Sequence, residues 1–299
     1  MIPHRVGVWA RRARIGAVTL TSTSASAKVQ RLHAVLASTG GAVVAFSGGT
    51  DSALVAAVAA RALGPRALAV TAVSPSLPPG ELEEARRLAR HAGIRHRSVR
   101  TLEVELEAYL ANGADRCYHC KSELYGTLER IAVEEGLPVV VSGANLDDLG
   151  DYRPGLAAAG EHGVRHPLVE AGFTKAEVRE AARELGLPSW DKPASACLSS
   201  RIAHGVRITV DELSRVGRAE RALKELGFRQ VRVRVHGDLV RVEVEAEDVA
   251  RLAEPATRER ALEVLKALGY RYVTLDLEGF RSGSMNPPGA TAPPGDVPA

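Results

Sequence analysis

Three cysteines in 299 residues are too few, and odd in number, for a disulfide framework. The fold must then be held by an apolar core, and the thiols are left for chemistry in a reducing setting. Long apolar runs are also missing. Nothing approaches the roughly 20 residues that a membrane helix needs. The stretch Ile15 to Leu20, behind Arg11, Arg12 and Arg14, is interrupted by Gly16 and Thr19 and is short for a secretory signal. Nor is there an excess of one charge: 39 Lys and Arg face 36 Asp and Glu, a net +3. A chain that lives on nucleic acid would carry a stronger basic bias. Together these absences predict a cytoplasmic globular protein without a membrane or nucleic-acid partner, whose phosphate binding is local. At 45% hydrophobic residues it can bury a real core, and no internal repeat is visible.

From Lys28 to Pro188 the pattern alternates. Helices are predicted near 28–39, 52–63, 80–92, 117–135 and 174–185, with strands at 42–46, 67–73, 97–99 and 138–142. Short strands apolar on both faces, separated by helices, imply a parallel sheet covered on both sides. That is a doubly wound α/β domain, whose ligands bind at the carboxyl ends of the strands. After Pro188 the pattern changes. Thr209 and Glu212 form a capping box opening a helix to Leu226, and strands 231–235 and 240–245 alternate about the turn His236-Gly237-Asp238. A helix at 256–268 and a strand at 272–277 complete a smaller α+β domain. The expected organisation is a disordered extension at 1–26, the large domain at 27–188 and a linker at 189–205. The small domain at 206–286 and a Pro- and Gly-rich disordered tail at 287–299 follow.

The strongest chemical signal is Ala45-Phe46-Ser47-Gly48-Gly49-Thr50-Asp51-Ser52, an apolar strand running through glycines into an Ala-rich helix. Glycine lets backbone amides approach an anion, and a helix N-terminus adds unsatisfied N–H groups. No lysine follows the second glycine, so the loop is not shaped for the γ-phosphate of a kinase or GTPase. It resembles instead the PP-loop of ATP pyrophosphatases, which holds pyrophosphate; the acid that helps place Mg²⁺ is here Asp51. A second loop, Ser142-Gly143-Ala144-Asn145-Leu146-Asp147-Asp148, continues through Gly150 to Arg153. Its paired acids can hold Mg²⁺ and Arg153 can fork onto a phosphate or carboxylate, although Asp-Asp in a loop is more often a solvated turn.

Cys117 and Cys120 lie in Arg116-Cys117-Tyr118-His119-Cys120-Lys121 at the start of a predicted helix, on one face. The helix N-terminus, Arg116 and Lys121 are expected to favour both thiolates. A redox dithiol or half a zinc site would look the same, but four-thiolate zinc needs a fourth cysteine. The third, Cys197, sits in Lys192-Pro193-Ala194-Ser195-Ala196-Cys197-Leu198-Ser199-Ser200-Arg201. A lone cysteine is as often a small buried hydrophobe, yet Pro188 and Pro193 mark a loop, and Lys192 and Arg201 offer charge to a nucleophile. Three thiolates suit a [4Fe-4S] cluster with one iron open. Arg232 and Arg234 share one strand face, opposite Arg241, Glu243 and Glu245. Such a face is either solvated, with cross-strand ion pairs, or a phosphate clamp.

As a set, these motifs resemble the LarE family of ATP-dependent sulfur transferases, which build the nickel-pincer nucleotide of lactate racemase. The likeness runs from about Lys28 to Asn286, through AFSGGTDS, RCYHCK, SGANLDDLGDYRPG, KPASACLSSR, VRVRVHGD and LDLEGFRSGSMN. It implies an N-type ATP pyrophosphatase domain that, with ATP and Mg²⁺, adenylates a carboxylate of pyridinium-3,5-dicarboxylate mononucleotide, which sulfur then converts to a thiocarboxylate. Members with a single cysteine give up its own sulfur, and Cys197 matches that position. Cys117 and Cys120 make this chain similar to the subgroup in which three cysteines hold [4Fe-4S] and a cluster-bound sulfide is the donor. The resemblance further implies ATP or pyrophosphate contacts from Ala45, Phe46, Ser47, Gly48, Gly49, Asp51, Ser52 and Gly143, and Mg²⁺ at Asp51 and Asp148. Asp51 and Cys197 would be catalytic, and Arg153, Ser200, Arg201, Glu220, Arg232 and Arg234 would meet the substrate. The enzyme would self-associate and draw on a sulfide donor system. Three readings compete. A tRNA-thiolating enzyme would want a basic groove, amide-forming synthetases have no need of three cysteines, and an adenylate sensor would bind nucleotide without releasing pyrophosphate.

Overall fold

The computed structural model describes residues 23–149, 154–193, 195–281 and 284–285. The expectations for 1–22, for Arg153 and for 287–299 lie outside them. Helix α1 (Thr23–Ala37) precedes β1 (Ala42–Ala45), α2 (Thr50–Leu63), β2 (Ala67–Val73), α3 (Glu81–Ala92) and β3 (Arg95–Arg100). Then come α4 (Glu107–Leu110), α5 (Arg116–Glu134), β4 (Val140–Val141), α6 (Pro154–Glu161), α7 (Pro167–Glu170) and α8 (Lys175–Glu184). The second half contains α9 (Val210–Glu225), β5 (Val231–His236), β6 (Leu239–Val244), α10 (Val249–Ala253), α11 (Pro255–Ala267) and β7 (Tyr272–Leu275). Helix α1 starts before the predicted Lys28, because the Ser and Ala residues there show no apolar period although a helix accepts them. Helices α6 and α7 were not predicted. Helix α6, with Gly155, Ala157, Ala158, Ala159 and Gly160, lies close on α5: a Cβ on Gly155 would stand 2.9 Å from Lys121 Cγ.

Four parallel strands form the first sheet in the order β3-β2-β1-β4. Val43 and Val44 are flanked by Leu68 and Ala69 on one side and by Val140 and Val141 on the other. Both faces are therefore buried, one against α1, α2 and α8 and the other against α5 and α6. The chain steps outward from β1 to β3, then crosses back to place β4 on the far side of β1. The loops after β1 and β4 thus part at a switch point, which opens a crevice at the strand ends. The outer strand β3 carries Arg95, Arg97 and Arg100, charges that blunt a sheet edge.

The second sheet has the order β5-β6-β7, with β5 antiparallel and β7 parallel to β6. Val231, Val233 and Val235 pack with Leu213, Val216 and Leu223 of α9 in a separate core, which Tyr109 of α4 also enters. The capping box expected at α9 is only half made. Thr209 accepts from Glu212 N (3.1 Å), but the Glu212 carboxylate is taken by Arg215 (2.6 Å) and by Tyr270 Oη–H (2.9 Å). A complete box opens α8 instead, between Thr174 and Glu177. Among the described residues no helix is long and apolar enough to cross a membrane.

Candidate active site

The turn after β1 is held by its own serines. Ser47 Oγ accepts from Gly49 N (3.2 Å) and lies 3.2 Å from Ser52 Oγ, which donates to Gly49 O (3.1 Å). Gly48 has φ +73°, and a Cβ there would meet Ala85 of α3 at 3.2 Å. No side chain caps α2, so its first-turn N–H groups are left for an anion. Lys192 reaches the turn, donating to Gly48 O (3.3 Å) and to Glu81 (2.8 Å).

The loop after β4 closes on this helix end. A Cβ on Gly143 would lie 2.8 Å from Ser52 N, so only glycine allows the approach. Asn145 Nδ2 donates to Asp51 Oδ1 (3.2 Å), and Lys175 of α8 is ion-paired with Asp51 Oδ2. Asp148 accepts from Asn145 N (3.0 Å), and Asp147 accepts from Lys175 N (2.8 Å). Of the two acids, Asp148 therefore stands behind Asp51, orienting the asparagine that touches it.

A cavity of about 240 Å³ opens beside the first loop, lined by Ala45, Phe46 and Ser47, by Thr71 in β2 and Ser74 and Ser76 after it, by Glu103, and by Cys120, Lys121, Ser195 and Cys197. Two cysteines from distant parts of the chain thus face the space next to the phosphate loop. All three cysteines are free thiols, and Cys117, one turn before Cys120 on α5, is exposed. The expectation that charge would favour the thiolates fails for Cys120. Burial pushes its thiol up to about 12, outweighing the pull of Lys121, and the nearby Cys197 and Cys117 add to the rise. Among the described residues no three His, Cys, Asp or Glu side chains are grouped to hold a single metal ion.

Buried polar contacts tie the cysteine segments together. Arg116 donates to Asn112 Oδ1 (2.6 Å), to Ser199 O (3.1 Å) and to Cys117 Sγ (3.8 Å). Asn112, at φ +55°, donates to the carbonyls of Ala203 (2.8 Å) and Val206 (2.9 Å), and Tyr109 is hydrogen-bonded to Ser199. Leu198 N donates to Ser76 O (2.8 Å).

Behind the Cys197 segment lies a charged cluster. Arg201 forks onto Glu220 (2.7 and 3.0 Å) and also donates to the carbonyls of Ala196 (2.9 Å) and Cys197 (3.0 Å). Glu220 also accepts from Val233 N (3.1 Å). Arg234 donates to Glu243 (2.8 and 3.0 Å), Ser200 O (3.0 Å) and Ser284 Oγ (3.1 Å). Arg232 lies over the Phe280 ring at 5.1 Å, and burial beside Arg201 and Arg234 lowers its pKa to about 10. The arginine face of β5 is thus buried, not solvated, because residues 276–281 and Ser284 cover it: Phe280 N donates to Val244 O (2.7 Å).

Comparison with known proteins bears on this arrangement. The sequence model of the family described as Asparagine synthase matches residues 33–122, the first loop and the Cys117–Cys120 segment included. The chain is 42% identical over 246 residues to the pyridinium-3,5-bisthiocarboxylic acid mononucleotide synthase of Lactiplantibacillus plantarum, covering 81% of this chain and 88% of the relative. The chain belongs to that synthase family. It is also 48% identical over 259 residues to an uncharacterized protein of Synechocystis sp., covering 87% of this chain and 97% of that one. A tRNA(Ile)-lysidine synthase of Bradyrhizobium sp. is 31% identical over 192 residues, covering 57% of this chain and 52% of that protein.

In this family member, Ala45, Phe46, Ser47, Cys120 and Cys197 meet at the cavity, while Gly48, Gly49, Asp51 and Ser52 continue the same loop into α2 and Gly143 packs on Ser52 N. Ser200 donates to Cys197 O (2.8 Å), while Arg201 and Glu220 are buried in each other and Arg232 and Arg234 lie beside them. The sequence reading missed Lys175, Glu103 and Asn112, and gave no role to Asn145 within the second loop. Only Asn112 left a trace, as a residue suited to a left-handed turn before the cysteine helix.

Proposed function

We propose that this protein adenylates a carboxylate of pyridinium-3,5-dicarboxylate mononucleotide and replaces the adenylate by sulfur. The observation that carries the reading is that Cys120 and Cys197 line the same cavity as the phosphate loop. Family membership with the Lactiplantibacillus plantarum synthase supports the choice of substrate. A carboxylate oxygen attacks the α-phosphate of ATP, the α–β phosphoanhydride bond breaks, and pyrophosphate leaves. The amides at the start of α2 stabilise the charge that develops there. Sulfur then attacks the acyl carbon, a C–S bond forms, the C–O bond to AMP breaks, and AMP departs. Mg²⁺ would be held by Asp51 together with phosphate oxygens, the usual pattern of one or two carboxylates plus substrate.

The donor set suits a [4Fe-4S] cluster better than zinc. A single ion needs all sulfurs at about 2.3 Å, whereas the irons of a cluster give each thiolate its own partner. Cys120 and Cys197, which line the cavity, and Cys117, one turn before Cys120 on α5, would hold it. When bound, the cluster supplies the sulfide that displaces AMP. Arg201 fixes the carbonyls around Cys197. Arg232, buried beside Arg201 and Arg234, would meet the phosphate of the mononucleotide.

The test is product analysis with ATP and the pyridinium dicarboxylate nucleotide. AMP and pyrophosphate are expected in equal amounts, with most turnover lost in Asp51→Asn. ADP and phosphate would overturn the reading. Mass spectrometry after one turnover addresses the donor: an intact Cys197 with repeated turnover on added sulfide is expected. Dehydroalanine at position 197, with full activity in Cys117→Ala, would show instead that Cys197 gives up its own sulfur.

A further inference from the structure

Glu103 is a buried acid with no cation of its own. Only 3% of it is exposed, and its hydrogen bonds both fall on one oxygen: Oε1 accepts from Ser74 Oγ and from Ser76 Oγ (3.1 Å). Ser76 N donates to Ser74 Oγ (3.2 Å), so the turn after β2 presents both hydroxyls to the acid. Among the described residues no Lys, Arg or His pairs with the carboxylate, and Oε2 has no partner. Glu103 lines the cavity of about 240 Å³, and its unpartnered oxygen opens onto that space. A desolvated acceptor left without a donor is costly. The arrangement suits a donor that arrives with a ligand.

The cavity lies where the base of a nucleotide would reach. Phosphates seated at the start of α2 leave the nucleoside to run along the carboxyl ends of the strands, the ligand side of a doubly wound sheet. Phe46 follows β1, Thr71 lies near the end of β2, and Glu103 follows β3. Phe46, Val70, Leu77, Pro78 and Leu124 give the space apolar walls, which suit the faces of a purine. The edge of that purine would meet an acceptor only. Each serine hydroxyl has one proton, already given to Oε1, and an ionised carboxylate has none. A 6-aminopurine brings an N–H to such a position. A 6-oxopurine brings a lone pair, which the carboxylate repels.

We propose that Glu103 selects the base of the nucleotide: Oε2 accepts from the exocyclic 6-amino group of adenine, and the same oxygen excludes 6-oxopurine nucleotides. Ser74 and Ser76 are positioning residues, which hold the carboxylate so that its second oxygen faces the ring. The proposal rests on the ATP reading of the first loop and adds to it a side chain that reads the purine edge.

Calorimetric titration of the full chain at fixed Mg²⁺, without the pyridinium substrate, tests it. The ligands are ATP, inosine triphosphate, purine riboside triphosphate (which lacks the 6-amino group) and inorganic pyrophosphate. The wild type should bind ATP about 10- to 100-fold tighter than purine riboside triphosphate, the loss of one hydrogen bond to a charged group, and inosine triphosphate no better than the latter. Glu103→Gln keeps the shape and can turn an amide N–H toward the cavity. Its preference for ATP over inosine triphosphate should fall by about tenfold or more, with pyrophosphate affinity within roughly twofold of the wild type. An unchanged preference in Glu103→Gln overturns the proposal, as do equal wild-type affinities for the three triphosphates. Should Glu103→Gln fail to fold and lose pyrophosphate as well, the wild-type series decides: tenfold discrimination upholds the proposal and equal affinities overturn it. A wild type that binds neither ATP nor pyrophosphate overturns the reading of the first loop itself, whereas a failure confined to base preference leaves that reading standing.

Discussion

Arg201 and Glu220 show how a residue's neighbours set its task. With 1% and 4% of their side chains exposed, the two charges depend wholly on each other. Removing one partner of such a pair leaves a desolvated charge and costs about 3–5 kcal/mol. Arg201→Ala should lower unfolding stability in urea by that order. In protein still folded, it should also slow sulfur transfer, because Arg201 holds the carbonyls of Ala196 and Cys197. Cys120 gives a second prediction. Its thiol is raised to about 12 by burial, so the fold favours the neutral form. The resulting stability is complete below the free-thiol value of about 8.5 and is lost as pH rises from there toward 12. Metal-free wild type should therefore lose more stability between pH 8 and pH 10 than Cys120→Ala. Chemical denaturation of both proteins at the two pH values measures the difference, and equal losses would place the thiol in water.

The loops after β1 and β4, neighbours in the sheet but far apart in sequence, meet at the start of α2, and the residue that limits their approach is Gly143. Overpacking by a methyl costs about 1–3 kcal/mol, and at this position the strain falls on Ser52 N at the start of α2. Gly143→Ala should weaken ATP binding by about tenfold or more, while the melting temperature of the ligand-free protein falls by only a few degrees. Calorimetric titration beside a thermal scan separates the two effects. A large melting-temperature loss with unchanged ATP affinity would mean that the contact serves the fold. The pairing of helix α8 with this site follows from the same topology. Crossing back to β4 brings the segment after it, with Lys175, to the side of β1 where Asp51 begins α2.

The two cores meet along the segment that carries Cys197. Asn112, buried and in a left-handed conformation, links Arg116 of α5 to the carbonyls of Ala203 and Val206. Asn112→Ala removes these bonds and strains φ +55°. It should turn a single thermal transition into a broadened or double one and lower iron content after anaerobic reconstitution; a sharp single transition with full iron would assign the link to neither task. The sequence by itself determined the alternation of strands and helices, the two sheets, the phosphate loop and the three thiols. Those signals are local, resting on apolar period, glycine placement and residue chemistry within a few positions of one another. Only the tertiary structure decided that partial burial raises the Cys120 thiol, that Arg232 and Arg234 lie under a later segment, and that Lys175 holds Asp51. Each of these depends on burial or on a partner far along the chain: 124 residues separate Asp51 from Lys175. Desolvation and long-range pairing arise when the chain packs, so no local pattern encodes them.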